Sequence, residues 1–120
     1  MTKGPIDPAK TAVLTIDLQN DFLHAQGAYG RAGQASAAIA ALPDRVKPVI
    51  AAVRGQGGVH VSAQFTLVPR AGADPLIAPH LKALRPFLTR GDFEPGAFGH
   101  ALVDTLSPAD FTVEKVAYSA

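Results

Sequence analysis

The polar residues best suited to chemistry stand directly after a short apolar segment. Ala12–Ile16 is nearly all apolar and contains β-branched residues, which is typical of a strand covered on both faces. Asp17-Leu18-Gln19-Asn20-Asp21 follows at once, and its carboxylates are groups that can accept and return a proton. Asp17 also has a simple structural use, because Asp and Asn side chains often bond the backbone amides of turns.

Composition removes several kinds of chemistry. The 120 residues contain no cysteine, which excludes a disulfide framework, a thiolate metal site and a cysteine nucleophile within this sequence. Eleven Lys and Arg residues against ten Asp and Glu residues give a formal net charge of +1. Because this balance lacks the clustered basic excess that binds phosphate backbones, we expect no nucleic-acid partner.

The N-terminal residues and the overall hydropathy favour a cytoplasmic protein. Lys3, Asp7 and two prolines occupy residues 1–10, where a secretory signal needs an apolar stretch. No later run approaches the roughly 20 apolar residues of a membrane span. With 48% hydrophobic and 18% charged residues, the composition fits one globular domain.

The elements that must position the polar cluster follow an α/β pattern. Val59–Phe65 and residues 111–116 are two further strand candidates, and helical or irregular stretches separate the three strands. This alternation predicts an α/β domain with a mostly parallel sheet. The carboxyl ends of such strands are where open α/β sheets bind ligands.

Helix signals occupy the stretch between the first two strands. Ser36 is a candidate N-cap, and apolar residues recur at spacings of three and four as far as Val53. Proline lacks an amide donor and crowds the preceding turn, so Pro43 and Pro48 interrupt this pattern. We predict a short helix through Leu42 and a second helix that begins near Pro43.

The remaining segments are short and rich in turn residues. Residues 66–79 contain three prolines and predict a surface loop, whereas residues 80–88 and 99–106 predict short helical turns. The glycine-rich residues 27–33 lack the Lys-Ser/Thr ending of a phosphate loop. We interpret them as a flexible turn that could act as a lid near Asp17.

A three-stranded parallel sheet with one or two covering helices leaves an apolar edge and one uncovered face. We expect this surface to be buried by a complementary C-terminal fragment, by another copy of the chain in a homo-oligomer, or by the rest of a longer protein. The residues alone leave these three possibilities open.

Two segments of the chain resemble one known family. Thr11-Ala12-Val13-Leu14-Thr15-Ile16-Asp17-Leu18-Gln19-Asn20-Asp21-Phe22 looks like the opening signature of the isochorismatase-like hydrolases, also called the cysteine hydrolase superfamily. Val113-Glu114-Lys115-Val116-Ala117-Tyr118-Ser119-Ala120 resembles the family strand that leads to a lysine and a Ser-Ala-Phe turn. The resemblance implies a three-layer α/β/α open parallel sheet. Residues 1–120 would be the N-terminal part of a single such domain, with about its first three strands.

The resemblance also implies a catalytic pair. In the family an aspartate after the first strand, a lysine at the end of the third strand and a later cysteine form a triad, and the first two map onto Asp17 and Lys115. A carboxylate can accept the proton of a thiol, and a nearby ammonium keeps the carboxylate charged and stabilises the thiolate. The ordinary alternative for Lys115 is an exposed lysine whose stem covers apolar surface.

Aromatic residues near these strand ends tend to line the substrate cavity in the family. This makes Phe22, Phe65 and Tyr118 candidate substrate-binding residues, with packing in the core as the alternative for each. The polar residues 19–21 are better explained as scaffold, because short polar side chains compete well for turn amides.

We expect no metal and no cofactor. One branch of the superfamily, the nicotinamidases, holds a metal with Asp and His residues in a loop after the second strand. Residues 64–70 lack the Asp-x-His context of that branch, and a lone strand histidine such as His60 is more often packed than ligating. His24 lacks the same context.

The resemblance implies hydrolysis of a C–N amide-type bond, or of a vinyl ether, in a small-molecule substrate. This activity requires that a C-terminal segment outside the 120 residues supplies the cysteine. Without such a segment the chain would be a catalytically inactive family member that serves as a binding or assembly subunit. Whether the chain works as an enzyme therefore stays open at this point.

Overall fold

A computed structural model describes residues 5–120, in which helices and strands alternate as the sequence predicts. In chain order the elements are a 3-10 turn (Pro8–Lys10), β1 (Ala12–Ile16), α1 (Asn20–Leu23), α2 (Ala28–Arg31), α3 (Ala37–Ala40), α4 (Leu42–Gly55), β2 (Val59–Phe65), α5 (Pro79–Leu84) and β3 (Phe111–Lys115). The first two strands have the predicted bounds, and β3 ends one residue earlier than expected. Residues 1–4, part of the N-terminal segment judged unlike a secretory signal, lie outside the described residues.

The three strands form one parallel sheet in the order β1-β2-β3, with β2 in the centre. Ile16 is the partner of Ala63 across the first pair, and Phe65 is the partner of Lys115 across the second. The carboxyl ends of the strands therefore meet at one edge, with the residue after β1 close to the last residue of β3. The predicted α/β class with a parallel sheet is confirmed.

The helical segment between β1 and β2 breaks where Pro43 predicts, whereas Pro48 lies inside α4 and does not interrupt it. The Ser36 hydroxyl accepts a hydrogen bond from the amide of Ile39 and caps α3, and α4 restarts at Leu42 with Pro43 in its first turn. Proline is tolerated there because the first amides of a helix have no partner within the helix. α4 has 14 residues, and no helix within residues 5–120 is long and apolar enough to cross a bilayer.

Two of the turn predictions differ from the structure. Residues 99–106 form no helix: Leu106 and Ser107 close one turn on Val103, but Asn20 donates to Ala101 and Val103 donates to Leu18, which ties this segment to the residues after β1. Residues 27–33 contain α2 instead of a loose turn, and the Ala28 amide donates to the buried carboxylate of Asp21. Residues 66–79 form the predicted loop, and the helical turn expected over 80–88 is α5.

The core consists of two clusters that flank the carboxyl ends of the strands. The first joins Ile50 of α4 to the segments around residues 18–23 and 102–106, with Val13 of β1 packed against it. The second contains Phe65, Phe93 and aliphatic residues from the loops after β2. Helix α4 therefore covers the sheet face that carries Val13.

The opposite face of the sheet is apolar and uncovered by the described residues. Leu14, Ile16, Phe111 and Val113, which we call the open face, are 51%, 43%, 61% and 50% exposed. Residues two apart on one strand share a face, and the register places these four on the same side. Within residues 5–120, the expectation of an uncovered apolar face is thus confirmed.

Candidate functional site

Asp17 and Lys115 lie together at the carboxyl edge of the sheet. Asp17 directly follows β1, Lys115 is the last residue of β3, and the end of β2 lies between them. The Nζ of Lys115 is 3.3 Å from Oδ1 of Asp17, which is ion-pair distance. The structure therefore brings together the two residues that the sequence selects for catalysis.

The backbone of Asp17 is left-handed, with φ at 63°. Few residues other than glycine adopt this conformation, and Asp is among those that tolerate it best. The Asp17 amide donates to the carbonyl of Ala63 at 2.9 Å, which extends the β1–β2 ladder one residue past Ile16. The strand thus ends in a sharp change of direction that aims the carboxylate at Lys115.

The Asp17 carboxylate is only partly solvated. Its side chain is 34% exposed, yet Oδ1 is buried and accepts no well-aligned hydrogen bond within residues 5–120, so its contact with Lys115 is an ion pair by distance. Burial raises the pKa of Asp17, and the Lys115 charge partly offsets this effect. Because this carboxylate bonds no turn amide of the described chain, the structural use proposed for Asp17 is not observed.

Lys115 is buried, with a side chain only 6% exposed, so it is not a surface lysine. Its Nζ donates to the carbonyls of Ala117 at 2.9 Å and Tyr118 at 3.2 Å, and lies 5.4 Å from the centre of the Phe65 ring. An aromatic face attracts a cation at this distance. The ammonium is therefore held by the turn that follows its own strand.

The three candidate substrate-binding aromatics occupy two different places. Phe65 and Tyr118 line one apolar recess next to Lys115, together with Leu67, Leu76, Ala78, His80, Leu81, Val116 and Ala117. Phe22 lies behind Phe65 instead, with ring centres 6.3 Å apart, and packs against Tyr29 and Phe93. A substrate role for all three stays a prediction.

Residues 19–21 hold the segment after β1 against two loops, as predicted for scaffold. The amide of Asn20 donates to the carbonyl of Phe98, and the Asp21 carboxylate accepts the amides of Ala28 and Phe93. Gln19 is completely buried and bonds backbone groups of Phe65 and His100. The prediction that these residues bond backbone groups is confirmed.

The histidines are packed or bonded locally. His60 is completely buried, its Nε2 lies 2.8 Å from the Thr15 hydroxyl, and burial lowers its pKa. The Nδ1 of His24 accepts the amide of Gln26. Within residues 5–120 no group of three or more His, Asp or Glu side chains is placed to hold a metal ion.

Sequence reasoning missed the backbone acceptors of the site and the buried His100. Burial lowers the pKa of His100, with the Glu114 charge opposing this effect, and its Nε2 lies 2.9 Å from the Thr66 hydroxyl. The carbonyls of His100, Ala117 and Tyr118 bond Gln19 and Lys115. Carbonyls occur in every residue, so no sequence signal marks those that serve a site.

Several solved structures share this fold. A cysteine hydrolase from Pseudomonas syringae pv. phaseolicola superposes with a TM-score of 0.68 at 20% identity, over 98% of this chain and 51% of that chain. An isochorismatase-like hydrolase from Alkaliphilus metalliredigens gives a TM-score of 0.58 at 19% identity, over 90% and 51% of the two chains. The chain thus spans about half the length of each of these two structures.

The match to a family model identifies the chain's family, which structural matches at about 20% identity do not. Comparison with curated proteins gave no significant match. The family model described as the isochorismatase domain matches residues 11–120, which include the polar cluster after β1 and the Lys115 strand. On this evidence the chain belongs to the isochorismatase domain family.

Proposed function

We propose that Asp17 and Lys115 are the acid–base pair of an isochorismatase-like hydrolase that cleaves a C–N amide-type bond, or a vinyl ether, in a small molecule. One observation carries the proposal: at the carboxyl edge of the sheet, a partly buried carboxylate lies 3.3 Å from a buried ammonium. Ionisable groups that are partly withdrawn from water and paired where open α/β sheets bind ligands are candidates for acid–base work.

Cleavage of an amide needs a nucleophile, which we assign to a cysteine in a polypeptide segment outside the 120 residues, with this chain as the N-terminal part of the domain. A vinyl ether would take an acid-assisted route instead: Asp17 protonates the double bond, water adds to the resulting cation and returns a proton, and the hemiketal breaks into a carbonyl compound and an alcohol. With an amide, the thiol gives its proton to Oδ1 of Asp17, and the thiolate attacks the carbonyl carbon of the amide. The C–N bond then breaks as the amine takes that proton from Asp17. Water hydrolyses the thioester, which releases the acid and restores the thiol.

Each residue of the pair has one task in this scheme. The raised pKa of Asp17 makes its carboxylate a better proton acceptor than an exposed aspartate. The Lys115 ammonium favours the negative charge that passes between the carboxylate and the thiol. The scheme uses no metal and no cofactor.

The apolar recess next to Lys115 supports a small substrate with an apolar part. Phe65 and Tyr118 would contact this part, while Phe22 would shape the recess from behind Phe65. The segment that brings the cysteine would also cover the open face, since parallel sheets are generally covered on both faces.

Substitution of Asp17 by Asn tests the proposal in protein purified with every polypeptide that it binds. Asn tolerates the left-handed backbone but cannot accept the thiol proton, so turnover on an amide panel should fall by about 10²-fold or more while the circular dichroism spectrum is unchanged. The control is Asp104→Asn, which changes an exposed aspartate and should leave turnover intact. Unchanged turnover in Asp17→Asn would contradict the proposal.

The lack of cysteine in these 120 residues favours a second candidate, a catalytically inactive binding or assembly subunit. Intact-mass measurement of all polypeptides in the purified sample separates the two. A second polypeptide that carries cysteine supports the hydrolase, whereas its absence, together with no turnover by the unsubstituted protein, supports the inactive subunit.

A further inference from the structure

Gln19 is the buried side chain most closely tied to the end of the central strand. Its side chain is completely buried, and all three of its hydrogen bonds go to backbone groups. Its Oε1 accepts the Phe65 amide at 2.6 Å, and its Nε2 donates to the carbonyls of Phe65 and His100, each at 2.9 Å. Both donors and the acceptor of the amide are therefore used.

This side chain takes the place of a missing strand residue. The backbone ladder between β1 and β2 ends with the bond from Asp17 to the Ala63 carbonyl. Two residues further along β2, the amide and carbonyl of Phe65 face the same side, and the Gln19 amide bonds both. The side-chain amide thus acts as a facing peptide group would, and it continues the ladder beyond the turn at Asp17.

The same stretch of β2 also holds Lys115. The Thr66 amide donates to the Lys115 carbonyl at 2.8 Å, so two consecutive residues of the chain bond Gln19 on one side and β3 on the other. A short path of bonds therefore connects the end of β1 to the end of β3. Asp17 has the left-handed backbone and is two residues before Gln19. The turn is therefore bonded to β2 on both sides of this strained residue, by the Asp17 amide to Ala63 and by the Gln19 side chain to Phe65.

We propose that Gln19 is a positioning residue that holds the Asp17 carboxylate at ion-pair distance from Lys115. The inference rests on the proposed function in taking these two residues as the reacting pair. Without the bonds from Gln19 to Phe65, the turn would keep its bonds to residues 99–103 but would lose its attachment to β2 beyond the Ala63 bond. The carboxylate would then move toward water and away from the ammonium.

Titration of Asp17 tests this role without substrate, in protein purified with every polypeptide that it binds. The variant Gln19→Met keeps the approximate volume and removes all three bonds. Burial is the larger influence on Asp17 and Lys115 the smaller, so a loosened carboxylate should show a lower pKa by carboxyl ¹³C NMR. Gln19→Asn keeps the amide group on a shorter side chain, disturbs the core less, and should shift the pKa in the same direction.

Gln64→Met is the matched control, because Gln64 is also a buried amide. Its Nε2 donates to the same His100 carbonyl at 2.8 Å, but its side chain does not bond Phe65. If Gln19 had only a structural role, Gln19→Met and Gln64→Met would both lower stability to urea, and neither would change the pKa of Asp17. We expect the control to lose stability while the pKa of Asp17 stays at its wild-type value.

The result that overturns the inference is a wild-type pKa of Asp17 in the folded Gln19 variants. Failure of the role of Gln19 can be told apart from failure of the proposed function, because the titration of Asp17 needs no turnover. Unchanged turnover in Asp17→Asn contradicts the hydrolase alone, and an unchanged Asp17 titration contradicts the role of Gln19 alone.

Discussion

Asp17 carries two features that an ordinary surface aspartate lacks, a left-handed backbone and a carboxylate oxygen buried beside an ammonium. Each costs free energy, because left-handed backbone is strained for residues with a Cβ and a buried charge loses hydration. Such costs are found together most often where a residue serves a reaction. At the residue scale, this coincidence is the strongest argument for a functional Asp17.

Removal of the Lys115 charge should raise the pKa of Asp17 further. In Lys115→Met the carboxyl stays partly buried but loses the positive charge that lowers its pKa. Since the folded pKa already exceeds the unfolded one, the protonated carboxyl favours the folded state at low pH. This stability is lost as the pH rises through the folded pKa, and in the variant the loss should shift to higher pH.

Carboxyl ¹³C titration of Asp17 measures this effect, and Lys82→Met is its control. Lys82 also donates to two carbonyls, those of Pro86 and Leu88, but pairs with no carboxylate among the described residues. The control should leave the Asp17 pKa unchanged. A pKa that falls in Lys115→Met would contradict the electrostatic role given to the lysine.

The individual site residues were predictable to different degrees. Asp17 and Lys115 could be selected because ionisable side chains at strand ends are visible in a sequence and fit a family pattern. The position of Phe22 behind Phe65 depends on side-chain packing, which residue type does not encode. The bonds from Lys115 to the carbonyls of Ala117 and Tyr118 depend on the path of the backbone alone.

At the scale of elements, the strands were predictable and the turns were not. A short apolar run with β-branched residues marks β1, Val59–Phe65 is a recognisable strand candidate, and Pro43 marks the break before α4. Residues 99–106 have the composition of a helical turn, but their backbone bonds the segment after β1 instead. Local propensity cannot predict such long-range pairing, because the partner lies about 80 residues away in the sequence.

Gly99→Ala should destabilise the packing between this loop and α1. A Cβ at residue 99 would come within 2.0 Å of Oδ2 of Asp21, whose carboxylate is fixed by the amides of Ala28 and Phe93. We expect a loss of about 1–3 kcal/mol in the free energy of unfolding, the usual cost of overpacking. Urea denaturation measures this loss.

The matched control is Gly55→Ala at the end of α4, where an added Cβ meets no atom within 4 Å. Because alanine favours helix over glycine, stability there should be equal or slightly higher. Equal stability of Gly99→Ala and the wild type would show that the loop and α1 are less tightly packed than described.

On the scale of the whole molecule, the sheet has an unusual distribution of polarity. Its covered face carries the buried polar side chains of Thr15, His60, Ser62 and Gln64, whereas the open face is apolar. Uncovered apolar patches on a protein generally mark a contact surface. The need for a cover was predictable from the strand count, but the polar residues beneath α4 were not expected.

We expect the isolated chain to associate through the open face. The double variant Leu14→Ser with Val113→Ser removes two half-exposed side chains of this face and should lower the apparent mass in sedimentation velocity runs. Val49→Ser is the control, because Val49 is 53% exposed on α4, which covers the other face. A wild-type chain that stays monomeric at all concentrations would contradict this expectation.

The hydrogen bonds around Lys115 would restrict how protons travel in the proposed reaction. The ammonium donates to the carbonyls of Ala117 and Tyr118, and its Nζ also lies 3.3 Å from Oδ1 of Asp17. An ammonium held in this way is poorly placed to hand a proton to a substrate. In the proposed reaction, the proton that moves is therefore carried by Asp17 and not by Lys115. A solvent isotope effect would arise from transfer of this proton from the thiol to Asp17 and from Asp17 to the departing amine.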